Sequence, residues 1–176
     1  MPLTWTDNMS TDNFNGGALY TQEGASAGVQ SPVVAEGEAV ATQASGLDWA
    51  DFRTPVQFPN LYQTVTYKRD VTESQTNTIQ WVDVPTAPVN LLSFQLATSF
   101  VNTMYLVVFI GGVTITSISK PLTPPALGDY TISASLDYTG HFYCSTSDGQ
   151  FIETTISRSN MFTLEAGPSL YPQVSQ

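Results

Sequence analysis

The chain has 176 residues, enough for one domain with a real core, and a formal charge of -10 from 15 acidic and 5 basic residues. The basic residues Arg53, Lys68, Arg69, Lys120 and Arg158 form no cluster, which excludes a phosphate-neutralising nucleic-acid surface and strong attraction to anionic membranes. A single cysteine (Cys144) and a single histidine (His141) exclude an internal disulfide and the usual zinc sites, so no cofactor is expected.

The N-terminus, MPLTWTDNMSTDNF, has neither the basic nor the apolar region of a signal peptide, and Asn8-Met9-Ser10 is read as a chance glycosylation pattern. Residues 1–52 form an acidic arm, extended or disordered. Its first 50 residues carry Asp7, Asp12, Glu23, Glu36, Glu38 and Asp48 with no Lys or Arg, and are rich in Gly, Ala, Ser, Thr and Gln. Such a segment cannot bury enough apolar surface to order itself. Trp5, Phe14, Leu19, Tyr20, Val33, Val34, Leu47 and Trp49 nevertheless supply anchors for an arm that lies on another surface. Leu47 to Phe52 is compatible with a short helix capped by Ser45.

Residues 53–167 read as an antiparallel β-sandwich. LYQTVTYKR (61–69) alternates Leu61, Val65 and Tyr67 with polar partners. TIQWVDV (78–84) sets Ile79 and Trp81, with Asp83, against Val82 and Val84. In LLSFQLATSF (91–100), Leu92, Phe94, Leu96 and Phe100 fall in phase at period two. MYLVVFIGGVTITSIS (104–119) holds a run far shorter than the roughly 20 apolar residues of a membrane span. Its β-branched and aromatic residues favour a strand, Gly111-Gly112 supplies a two-residue turn, and a second strand starts at Val113. Ile118 breaks the phase of Val113 and Ile115, which suits a bulge there.

KPLTPPALGD (120–129) is a proline-rich loop. YTISASL (130–136) alternates Tyr130, Ile132, Ala134 and Leu136; DYTG turns the chain into HFYCSTS; Asp148-Gly149 marks a tight turn into FIETTISR. MFTLEAG is read as a last short strand and residues 168–176 as a C-terminal tail. About eight strands with no ordinary helix make the fold class all-β, an antiparallel, jelly-roll-like β-sandwich with an extended N-terminal arm.

Little here carries catalytic chemistry. Asp137, His141 and Ser145 are the weak candidates for a relay, but His141 and Ser145 on one strand face lie about 13 Å apart along it. Cys144 reads as a small buried hydrophobe. A sugar-binding platform could use Trp81, Tyr138, Phe142 and Tyr143, although strand aromatics are more often core residues.

The arm at 1–52, body strands such as LLSFQLATSF, MYLVVFIGG and YTISASL, and the loop KPLTPPALGD together resemble structural proteins of small non-enveloped viruses. The resemblance is to capsid or surface-protrusion domains of picornavirus-like insect viruses. It implies a jelly roll in a virion, made in the host cytoplasm, which assembles with other structural subunits as a homo- or hetero-oligomer laced by arms. The scattered basic residues and the short apolar run add the expectation of no direct nucleic-acid binding and no transmembrane segment. The suspected hydrolytic residues of some protrusion domains would match only Asp137, His141 and Ser145. The expectation is therefore a non-enzymatic viral structural protein. The alternatives are a carbohydrate-binding β-sandwich module of a surface appendage and an Asp-His-Ser hydrolase.

Overall fold

Period-two alternation commits each segment to one apolar and one polar face, so two sheets that join their apolar faces are the economical solution. The computed structural model describes residues 20–23, 33–35, 38–40, 49–52, 61–69, 76–84, 87–97 and 102–175. The strands are β1 (Tyr20–Glu23), β2 (Val33–Ala35), β3 (Glu38–Val40), β4 (Trp49–Phe52), β5 (Leu61–Arg69), β6 (Thr76–Val82) and β7 (Leu91–Ala97). They continue as β8 (Thr103–Ile110), β9 (Val113–Pro121), β10 (Gly128–Leu136), β11 (His141–Thr146) and β12 (Phe151–Thr155). The helix α1 (Arg158–Ala166) and the strand β13 (Tyr171–Ser175) follow.

One sheet has the order β1-β4-β13-β6-β7-β8-β9 and the other β12-β11-β10-β5, while β2 and β3 pair separately. Neighbours in both large sheets are antiparallel. The protein is an all-β antiparallel sandwich of two sheets, as its alternation dictates.

The core lies between the sheets. Ile79, Trp81, Leu92, Phe94, Leu96 and Leu106 enter it from the larger sheet, and Ile132, Leu136, Phe142 and Cys144 from the smaller. Each large apolar side chain buried this way contributes about 1.5–3 kcal/mol. Trp81 and Phe142 are therefore core residues and no sugar platform: their rings pack at 6.1 Å with a 57° tilt. On the opposite face of β6, Thr78, Gln80 and Val82 are buried as well.

The glycine hairpin forms as its sequence demands, with Gly111 and Gly112 at φ 61° and 81° between β8 and β9. The bulge falls elsewhere than expected. Val108 faces Thr116 and Phe109 faces Thr114, so Ile115 is the extra residue, and Ile118 pairs regularly with Leu106.

Three further segments differ from expectation. Residues 49–52 are β4, paired with β1 and β13, rather than part of a helix. MFTLEAG belongs to α1. Ser157 caps its start by accepting from the Asn160 amide at 3.4 Å, Met161 and Leu164 bury one face at helical spacing, and Gly167 follows its end. The supposed tail contains β13, which fills the place between β4 and β6. Pro172, opposite Trp81, disguises it, because proline donates no ladder hydrogen bond. Of the arm anchors, Tyr20 lies in β1, Val33 and Val34 in β2, and Trp49 in β4. Trp5, Phe14, Leu19 and Leu47 lie outside the described residues, as does Phe100.

A buried carboxylate organises the end of the larger sheet. Asp83 accepts from the backbone amides of Val84 (2.8 Å), Val89 (3.0 Å) and Asn90 (2.9 Å), and from Asn90 Nδ2 (3.1 Å). Asn90 Oδ1 in turn accepts from the Gly111 amide at 3.0 Å. Replacing Asp83 with Ala strands several donors, two of them on the buried Asn90. Asp83→Ala is expected to cost on the order of 3 kcal/mol in urea-unfolding experiments. A loss under about 0.5 kcal/mol would show that water replaces the carboxylate without penalty.

Candidate functional site

The inward phase of the smaller sheet fixes its outward phase. Burying Leu61 and Gln63 on β5, Ala134 and Leu136 on β10, Phe142 and Cys144 on β11 and Ile152 on β12 turns the intervening residues to solvent. The register lines them up in rows. One row is Glu153–Tyr143–Ser135–Tyr62, and the next is Phe151–Ser145–Ser133–Thr64.

An aromatic ledge occupies the β11–β12 side of this face. Tyr143 and Phe151 stack with centroids 5.7 Å apart and planes at 23°, and His141 lies 6.0 Å from Tyr143. His141 Nε2 meets Glu153 Oε2 at 2.9 Å, with both side chains more than two-fifths exposed. Lys120 reaches over from β9. Its ammonium sits 4.3 Å from the Phe151 ring centre and donates to the Phe151 carbonyl at 3.0 Å. Across the face, Tyr62 is 72% exposed and its hydroxyl accepts from Thr64 Oγ1 at 2.7 Å. Along β5 and β10 beside Tyr62 lies a hydroxyl floor, where Thr64 meets Ser133 at 3.0 Å and Thr66 meets Thr131 at 2.9 Å.

The ledge begins at a built turn. Asp137 Oδ1 accepts from the Thr139 amide (2.8 Å), the Thr139 hydroxyl (2.6 Å) and the His141 amide (3.1 Å). Gly140 has φ 88°, and a Cβ there would lie 2.3 Å from the Ile156 carbonyl oxygen, so only glycine fits. The Asp148-Gly149 turn closes the other end, with Gly149 at φ 85° as its sequence requires. Thr146 Oγ1 donates to Asp148 Oδ1, and Gln150 Nε2 to Asp148 Oδ2 at 2.7 Å.

The relay candidates do not converge. Asp137 accepts from the backbone of His141 and not from its ring, the ring pairs with Glu153, and Ser145 lies four residues along β11. Cys144 is buried, and burial pushes its thiol well up, which keeps it un-ionised and inert as a nucleophile. Among the described residues no group of three or more His, Cys, Asp or Glu gathers as a metal site. No helix among them is long and apolar enough to cross a membrane. Of the platform candidates, Tyr143 is on the ledge, Tyr138 is exposed in the turn beside it, and Trp81 and Phe142 are in the core. Phe151, Glu153 and Tyr62 escaped the sequence reading, although their alternation with Ile152 and Leu61 signals an outward phase.

No protein-family model matches the chain, and no curated protein matches it in sequence. Its fold is similar to that of a toad ovary galectin solved in complex with thio-digalactose: TM-score 0.52 and 9% identity over 76% of this chain and 92% of that one. The same toad galectin in complex with N-acetylgalactose gives a TM-score of 0.50, with the same identity and coverage. It is also similar to the enzymatically active domain of tailspike protein 2 from bacteriophage CBA120: TM-score 0.54 and 16% identity over 72% of this chain, but only 20% of that one. These likenesses establish the fold.

They also overturn the resemblance to capsid and protrusion domains of picornavirus-like viruses, and with it the assignment to a virion and to viral assembly. The physical reason is visible in the topology. That resemblance rested on an arm before the body and a tail after it. The structure instead incorporates β1, β4 and β13 into the larger sheet.

Two carboxylates of the flanking turns tie stability to acid pH. Asp137 is held below its ordinary value chiefly by the Thr139 hydroxyl; burial, the next influence, pushes up, and the backbone amides of His141 and Thr139 lower it further. For Asp148 burial is the largest single influence and pushes up, but the bonds from Thr146 and Gln150 together outweigh it and the net shift is down. A depressed folded-state value means that the unfolded chain takes up these protons first. The stabilisation is thus complete above the ordinary value of 3.8 and is lost as pH falls through the lower folded values. Urea midpoints should therefore fall as pH is lowered below about 4. They should fall less steeply in an Asp137→Asn/Asp148→Asn variant, and equal slopes would refute the assignment.

Proposed function

We propose that the outer face of the four-stranded sheet binds carbohydrate. The stacked and solvent-facing Tyr143–Phe151 pair carries this reading. The C–H bonds on one face of a sugar ring are weakly positive and apolar, and they complement the negative face of an aromatic ring. Sugar hydroxyls need both donors and acceptors, which the Ser/Thr floor, Glu153 and His141 supply within one row of the ledge. Tyr62, two strands from Tyr143, gives a second platform about 10 Å away. Two platforms at that separation suit an oligosaccharide lying across the strands better than a single ring.

The toad galectin is described in complex with thio-digalactose and with N-acetylgalactose, which makes galactose-type sugars the first probes for this chain. The tailspike likeness, confined to 20% of its chain, supports reading this sandwich as a module that longer proteins incorporate. The charge of -10 repels acidic glycans at long range, so neutral oligosaccharides are the class favoured here.

The test is a glycan array followed by titration calorimetry on the best ligand. Tyr143→Ala should weaken binding about tenfold and Tyr62→Ala by less, since an aromatic contact contributes about 0.5–1.5 kcal/mol beyond its area. Tyr143 is half-exposed, so the variant keeps its core. Absence of binding to any glycan sinks the function. Binding that ignores both substitutions moves the site to another surface, of which the outer face of β7–β9, with half-buried Tyr105, Val107 and Phe109, is the next to test.

A further inference from the structure

Seven strands packed over four leave the larger sheet overhanging. Its edge strand β9 is exposed at every residue except Thr116. Val113 is 59% exposed, and Ile115 and Ile118 are 36% exposed. Among the described residues no strand pairs with the far edge of β9. Edge strands are ordinarily guarded by charges, short length or proline. This one is nine residues long, VTITSISKP, with Pro121 at its last position. Its one charge, Lys120, is drawn aside onto Phe151.

We infer that β9 pairs antiparallel with β9 of a second copy of this chain, joining the two larger sheets into one continuous sheet. Charge selects the occupant: in a protein of net charge -10, this strand has no acidic residue, so two copies meet here with the least local repulsion. Symmetry selects the register. A two-fold axis perpendicular to the sheet keeps each side chain on its own face, so opposed residues must be separated by an even number of positions. Centring the axis on Ser117 satisfies this on the regular side of the bulge and sets Thr116 opposite Ile118, both on the core side of the sheet. No like charges oppose one another. Ile118 lies on the core side of the sheet, paired with the core residue Leu106, and in the dimer it meets its counterpart's neighbour beside the axis. The bulge at Ile115 and Pro121 confine pairing to the middle of the strand. The result is a small, reversible interface and not an open-ended stack, because a two-fold contact closes on itself.

Sedimentation velocity over a concentration series should show a monomer–dimer equilibrium. Ile118→Lys places two cations near the axis and should weaken association about tenfold or more, with a β-rich circular dichroism spectrum showing that the variant stays folded. Ser117→Cys puts two thiols across the axis with Cβ atoms about 4.5–5.5 Å apart, near the separation a disulfide needs. Mild oxidation should cross-link it as a dimer, while a Ser159→Cys control on α1 stays uncross-linked; buried Cys144 does not compete. The inference is overturned by a wild type that stays monomeric at every concentration. It is equally overturned by a dimer indifferent to Ile118→Lys, or by cross-linking of Ser117→Cys no greater than that of the control.

Discussion

The Asp83 carboxylate is the contact on which the larger sheet depends. A buried charge is costly unless its acceptor capacity is filled, and here four donors fill it, three of them backbone amides of the β6–β7 connection. The same connection reaches the next turn. Asn90 Oδ1 accepts from Gly111, and the Gly112 amide donates to the Val89 carbonyl at 3.0 Å. One carboxylate thus fixes where β6 ends, where β7 begins and where β8 turns into β9. A slip of one residue in any of these strands would send Trp81, Phe94 or Leu106 to the wrong face, so this polar knot also enforces the apolar core. The end of α1 is fitted to it: a Cβ at Gly167 would lie 3.1 Å from Asn90 Nδ2.

Once the register is set, the two faces of each strand are no longer independent. Phe142, Cys144 and Ile152 can fill the core only if His141, Tyr143, Phe151 and Glu153 point outward. The ledge is therefore assembled by the core and needs no loop to hold it. Ring spacing on the ledge follows from strand spacing, and for the same reason it resists distortion. The turns at either end are stiffened by Asp137 and Asp148, which accept local donors, and by glycines at positive φ.

Much of this was legible in the sequence. LLSFQLA and YTISASL state their core faces outright, Gly111-Gly112 and Asp148-Gly149 name their turns, and the apolar setting of Cys144 predicts its burial. Other parts were hidden for physical reasons. Pro168 and Pro172 make β13 look like a tail, yet tertiary pairing with β6 and β4 overrides local propensity. In α1, only Met161 and Leu164 are buried, too few for periodicity to reveal a helix, though Ser157 and Gly167 mark its ends. The bulge was visible as a broken phase, but its location was not, since either Ile115 or Ile118 could be the surplus residue. The ledge was half visible. Phe142 and Tyr143 cannot share a platform, because adjacent strand residues face opposite ways. Phe151 and Glu153 join Tyr143 only through a cross-strand register that no single segment contains.

The resemblance to viral structural proteins failed at the same level. Order along the chain (arm, strands, tail) is a one-dimensional property, and many sandwiches share it. What distinguishes them is which strand lies beside which. Here the chain lays down β6, β7, β8 and β9 as a meander, then β10, β11 and β12 as a second meander, and returns through β13 to the far side of β6. The return sets Pro172 opposite Trp81, and it converts a C-terminal segment that looked like an appendage into the neighbour of the most buried strand. Among the described residues, the smaller sheet's outer face and the β9 edge stay exposed beside this closed core.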